Sequence, residues 1–136
     1  MTLTPAEINA TLDRRGLLDD ASGAGTYALA VDTPDTVEGV ARQWRESSDA
    51  ALPEGYADQL TASAVAYVGY SSDVQARLAE HARGATRRAS FLEAFRPRSV
   101  VGVWALQSET PGVEERNRAR ALSRDGFVVW CDGRLY

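Results

Sequence analysis

Lysine is absent from this 136-residue chain: all 15 of its basic residues are arginine. Set against 19 acids for a net charge of −4, that is the bias expected of a salt-loving (halophile-like) or GC-rich proteome. Cysteine occurs once, as Cys131, which excludes an internal disulfide and any cysteine-based zinc site. Histidine also occurs once, as His81, which excludes a histidine metal cluster or a Ser-His-Asp triad built elsewhere. No apolar run approaches the length needed to cross a bilayer, so no membrane partner is expected. The opening MTLTPAEIN lacks the basic and apolar regions of a secretory signal, which leads to the expectation of a cytoplasmic protein. There is no Walker loop, dinucleotide fingerprint, internal repeat or low-complexity tract.

Hydrophobic residues make up 44% and charged residues 25%, the balance of a soluble globular chain, and the length suits a single domain over 1–136. Charge is unevenly distributed. Residues 1–60 carry 4 arginines against 11 acids, and residues 61–136 carry 11 against 8. Binding to phosphate depends on local positive charge rather than the total, which turns attention to the second half.

That half opens with AVAYVGYSSDVQARLAEHARG, residues 64–84. Ala64 to Tyr70 alternates and is rich in Val and Tyr, so it reads as a strand. Ser72 and Gln75 have capping-box spacing and predict a helix from about Asp73 to Arg83, with Gly84 ending it in a left-handed turn. Val74, Leu78 and His81 then share one face, and Arg77 and His81 lie one turn apart, with Asp73 placed to pair with Arg77. A phenol from Tyr67, a guanidinium and an imidazole brought together suit work on a phosphate.

Elsewhere, Thr4-Pro5-Ala6-Glu7 starts a helix that Gly16 ends. Thr26–Val31 is a strand with Tyr27, Leu29 and Val31 on one face. An acidic insertion over about 32–63 carries a helix begun at Thr33-Pro34 or Asp35, with Val37, Val40, Ala41 and Trp44 on one face, then a short turn after Pro53-Glu54-Gly55. Arg83, Arg87, Arg88, Arg96 and Arg98 form a basic run around a helix over about 85–95 that Pro97 stops, and Arg83, Arg87, Arg88 and Arg98 are the expected contacts to a DNA backbone. A strand over 100–106, a helix over 113–124 and a last short strand over 127–131 follow, with Asp132-Gly133 turning out to the terminus. The pattern predicts an α+β fold, a small and mostly antiparallel sheet flanked by helices, with a helical insertion between the first two strands.

Gly25-Thr26-Tyr27, then Tyr67-Val68-Gly69, Arg77 ten residues after that tyrosine, and His81 four further on, together resemble the GIY-YIG nuclease superfamily over about residues 24–122. The resemblance implies a metal-dependent endonuclease that hydrolyses DNA phosphodiester bonds, of the kind found in DNA repair. Tyr67 would help activate water, with His81 assisting proton transfer, and Tyr27 would shape the site by hydrogen bonding. Arg77 would stabilise transition-state charge, a task its planar fork suits better than an ammonium. One carboxylate after the third strand would hold Mg²⁺ or another divalent ion such as Mn²⁺. Glu109, Glu114 and Glu115 compete for that role. Glu115 is favoured because it shares a face with Ala119 and Leu122 and so points at the sheet.

Tyr70 stands where the excision-repair branch has lysine, and no late asparagine follows the glutamate. Specificity would come from a homodimer or a partner protein. The alternative is a catalytically inactive domain of the same fold that binds nucleic acid or acts as an adaptor.

Overall fold

A computed structural model describes residues 3–84 and 90–136. Helix α1 (Pro5–Arg14) begins where predicted: the Thr4 hydroxyl accepts the Glu7 amide at 3.2 Å, and proline occupies the first turn, where its missing N–H costs nothing. A single-turn helix, α2 (Leu18–Ala21), leads into β1 (Gly25–Val31). Between β1 and the next strand the insertion forms α3 (Val37–Ser47) and α4 (Tyr56–Gln59). The cap of α3 is Thr36, which accepts the Gly39 amide, rather than Thr33 or Asp35.

Strand β2 (Val65–Ser71) and helix α5 (Val74–Arg83) form the expected strand-to-helix unit. Its capping differs from expectation. Asp73, not Ser72, accepts the Ala76 amide, Ser71 folds onto Asp73, and Gln75 instead reaches Asn9 on α1. Gly84 ends the helix at φ +71°, a left-handed position that glycine fills without strain. Helix α6 (Ser90–Ala94) lies within the helix expected over about 85–95.

Pro97, expected only as a helix stop, is the first residue of β3 (Pro97–Ala105). Proline is tolerated there because β3 is an edge strand with no partner needing its N–H. Arg15 donates to the carbonyls of Val100 and Val101 at 2.7 and 2.9 Å, which covers the edge where the register against β1 slips. Helix α7 (Pro111–Arg124), β4 (Val128–Cys131) and β5 (Arg134–Leu135) complete the chain.

The sheet order is β3-β1-β2-β4-β5. The expectation of a mostly antiparallel sheet is corrected here: the sheet is mixed, because β2 and β4 run parallel. Parallel strands need a long crossover, and α7 supplies one, carrying the chain from β3 across β1 and β2 to β4. The final strand β5 was not expected. Asp132 and Gly133, both at positive φ, form the tight hairpin that folds it back onto β4.

The crossover also divides the core. On one face Tyr27, Leu29, Val65 and Trp130 pack with α1, α3, α5 and α6, and on the other Ala28, Val68, Val129 and Cys131 pack under Ala119 and Leu122 of α7. Alternation along β1 and β2 therefore feeds two layers, and every residue of β1 is buried. Among the described residues no helix is long and apolar enough to cross a membrane.

Candidate active site

Register and the lack of a side chain at Gly69 set the geometry. Tyr27 on β1 pairs with Gly69 on β2, so the phenol ring crosses the space a side chain there would fill. A Cβ at Gly69 would lie 2.6 Å from the Tyr27 hydroxyl and 3.0 Å from the Tyr67 ring. Gly25 is constrained in the same way, since a Cβ there would collide with the Trp104 carbonyl on β3. Both glycines of the two tripeptides are thus close approaches rather than turn positions.

Three aromatic groups meet over Gly69. The Tyr27 hydroxyl and His81 Nε2 share a hydrogen bond of 2.7 Å. The Tyr67 ring lies 6.2 Å from Tyr27 and 5.8 Å from His81, edge-on to the imidazole. Tyr27 and His81 are 1% and 3% exposed, and Tyr67 is half-buried. His81 thus bonds to Tyr27 and packs against the edge of Tyr67.

Burial decides the protonation states. It pushes the Tyr27 phenol far above its ordinary range, with the neighbouring Tyr67 adding to the effect, and it raises Tyr67 as well. Burial, with the Arg77 charge adding to it, lowers His81 to about 4, so the imidazole is neutral near pH 7. In the tautomer that carries its proton on Nδ1, Nε2 accepts from Tyr27. Nδ1 itself is buried and has no partner among the described residues.

Arg77 projects from α5 toward this trio. Its charge is felt by Tyr27, Tyr67 and His81 together, favouring phenolate and disfavouring imidazolium. It pairs not with Asp73 but with Glu80, at 3.5 Å, and its side chain stays 34% exposed. An exposed pair of this kind holds the guanidinium only weakly, leaving it available to a ligand.

Tyr67 also faces a cleft of about 400 Å³ at the edge of the sheet. The cleft exists because β4 leaves the sheet at Cys131, opposite Val68, while β2 continues through Gly69 and Tyr70. Trp44, Phe91 and Trp130 form one wall, and Glu115 and Asp132 bring carboxylates to it. Phe91 stacks on Trp130 at 4.8 Å and on Tyr67 at 6.2 Å, which fixes the tyrosine ring from behind.

Glu115 comes from α7, the layer opposite Tyr67, yet it lines the same cleft by passing the end of β4. Cys131 donates its thiol to Glu115 Oε1 at 3.5 Å. Burial and the adjacent carboxylate push that thiol up to about 12, so Cys131 stays protonated. Burial raises the pKa of Glu115, and Asp132 raises it further.

The competing glutamates are elsewhere. Glu114 does not face solvent as its helical position suggests, but folds back so that Oε1 accepts the Gln107 amide at 2.8 Å. Glu109 is exposed in the loop before α7. Asp132 was missed as a site residue. The Asp-Gly hairpin signal could have placed it beside the end of β4.

Among the described residues no three His, Cys, Asp or Glu side chains converge on one point. The donors that Glu115 and Asp132 present are hard oxygens whose mutual repulsion a cation would relieve. Such a pair fits Mg²⁺ or Mn²⁺, which take their remaining ligands from water and phosphate, and does not fit a thiolate or imidazole site.

Not every expected residue joins the site. Arg77 does not line the Tyr67–Glu115 cleft, so Tyr67 is the residue common to both halves. Arg98 lies on β3 near the Val31 end of β1, away from Gly69, where it pairs with Asp32 at 3.5 Å. Arg83 is exposed at the end of α5, and Arg87 and Arg88 lie outside the described residues.

Two outcomes test this geometry. Gly69→Ala should destabilise the fold by about 1–3 kcal/mol, because the rigid, buried Tyr27 ring cannot move aside. A melting temperature equal to that of the wild type would show that the ring is not where it is drawn. The second concerns pH. Between about 6.5 and 4 the unfolded chain binds a proton at histidine that the folded chain refuses, so stability should fall as pH drops through that window. The loss should be at most about 3 kcal/mol. Denaturant titrations of His81→Gln should lack this component, and an identical pH slope in the variant would contradict it.

No protein-family model matches this chain, no curated protein matches its sequence and no solved structure matches its fold, so the geometry around Gly69 carries the functional argument.

Proposed function

We propose that this protein is a metal-dependent endonuclease that hydrolyses phosphodiester bonds in DNA, similar in chemistry to the GIY-YIG nucleases its sequence resembles. One observation carries the reading. Tyr67 stands between a buried tyrosine–histidine pair, under the charge of Arg77, and a cleft bearing Glu115 and Asp132.

A phenol is a poor base at neutral pH, since its ordinary pKa is near ~10 and burial here raises it. Two features of the site work against that. Arg77 favours the phenolate, and so would the Tyr27 hydroxyl when turned toward Tyr67, with His81 in its other tautomer donating Nε2–H to the Tyr27 oxygen. Tyr67 would first release its proton to solvent through the cleft, and the phenolate would then take a proton from a bound water as that water's oxygen attacks phosphorus, which returns Tyr67 to the neutral phenol. The Arg77 guanidinium, which lies outside the cleft walls, would act through its charge on Tyr67 and on the incoming phosphate rather than by a contact within the cleft. Glu115, with Asp132 beside it, would hold the divalent ion, which supplies polarisation of the phosphate and stabilisation of the leaving oxygen.

The test uses plasmid, forked and single-stranded DNA with and without Mg²⁺. Tyr67→Phe, Arg77→Ala and Glu115→Gln should each keep the fold and lose on the order of 10²–10³ in cleavage rate. Glu115→Gln should bind DNA as well as the wild type or more tightly, because a carboxylate facing phosphate has been removed. Cleavage by all three within about threefold of wild type would rule out this site. DNA binding without cleavage by the wild type would leave the adaptor role in its place.

A further inference from the structure

A second cavity, of about 330 Å³, lies beside the first and is lined by Arg116, Asp132, Arg134 and Tyr136. Its composition follows from the strand pairing. Arg134 on β5 pairs with Cys131, and Tyr136 exchanges backbone hydrogen bonds with Val129. Paired residues of antiparallel strands point to the same face, so Arg134 and Tyr136 project on the side that α7 covers at Cys131 and Val129. On α7, Arg116 and Arg120 lie one turn apart on the flank beside them, and Arg120 sits 5.8 Å over the Tyr136 ring. The cavity is therefore a basic trough between the crossover helix and the last strand.

Two features mark it as a place for an anion. Among the described residues the ion pairs are Arg77–Glu80 and Arg98–Asp32, so Arg116 and Arg134 enter none. Asp132 lines both this trough and the Tyr67–Glu115 cleft, so the two lie on either side of the Asp132-Gly133 turn. Among the described residues no arginine lines the cleft itself.

We propose that Arg116 and Arg134 hold the phosphate adjacent to the scissile one on a DNA strand laid across the turn, with the Tyr136 ring beside them as a surface for the sugar or base. The assignment rests on the nuclease reading and deepens it by placing the strand on the C-terminal hairpin. Two guanidinium forks match a phosphodiester's two free oxygens, whereas ammonium groups give charge without that geometry. An aromatic ring next to a basic track is the usual means of holding a strand without reading its sequence. The Asp132 carboxylate opposes the anion from one end. Its place at the junction is tolerable because it also faces the carboxylate of Glu115, where a divalent ion belongs.

The experiment measures fluorescence anisotropy of a labelled DNA oligonucleotide across a salt series, with Ca²⁺ in place of Mg²⁺ so that binding is read without cleavage. Arg116→Gln combined with Arg134→Gln should keep the wild-type melting temperature, since neither guanidinium supports the fold. It should reduce the slope of log affinity against log salt by roughly 1.5–2 units, the loss of two phosphate contacts. The Arg116→Lys with Arg134→Lys variant should recover most of the slope, since charge is retained. An unchanged slope in the Gln pair would overturn the assignment, and so would a wild type that binds no oligonucleotide. If the slopes behave as expected but Mg²⁺ brings no cleavage, the phosphate subsite stands and the nuclease chemistry falls.

Discussion

The absence of a side chain at Gly69 is the constraint on which the site depends. Across the β1–β2 ladder it admits the Tyr27 ring, and only with that ring in place does a hydrogen bond of 2.7 Å to His81 form. The pair is sealed from solvent, so the imidazole is held neutral and the phenol protonated. A neutral, hydrogen-bonded pair behind Tyr67 is useful in a way that an imidazolium would not be. It can respond to charge appearing on the tyrosine without adding positive charge to a site that Arg77 already supplies.

Around this centre the protein is assembled from two layers that meet at one strand. Helix α5 brings Arg77 and His81 to the face of the sheet that carries Tyr27 and Tyr67, while α7 packs on the other face. Glu115 joins them only because β4 is short, so that the edge of β2 is open beyond Val68 and a side chain from α7 can turn into the gap. The parallel pairing of β2 and β4 is thus part of the functional design. An antiparallel strand of the same length would have left the carboxylates of the Asp132 turn at the opposite end of the sheet.

Much of this was legible in the chain because local signals and burial agreed. The alternation of Tyr27, Leu29 and Val31, the i, i+4, i+7 face of Val74, Leu78 and His81, and the Glu115-Ala119-Leu122 face all describe surfaces the structure buries. What escaped depended on partners distant in sequence. Ser72 and Gln75 fit a capping box, but Asn9 offered Gln75 a tertiary bond and Asp73 took the cap. Glu114 competed with Glu115 by sequence, but its carboxylate caps the loop at Gln107. Arg98 belongs to a run of arginines by sequence, yet strand register carries it to the far end of the sheet, next to Asp32. The strand–helix–strand order of β3, α7 and β4 contained the parallel pairing, since a crossover helix is what such a pairing needs.

Because the chain has one histidine, the protonation of its imidazole can be read without ambiguity. Nitrogen-15 NMR of imidazole-labelled protein at about pH 5.5, a unit below the ordinary histidine pKa, is the most direct measurement of the account. The buried Tyr27–His81 pair predicts a neutral ring with one protonated nitrogen, persisting until the pH approaches about 4. An imidazolium at that pH, with both nitrogens protonated and exchanging with water, would contradict it.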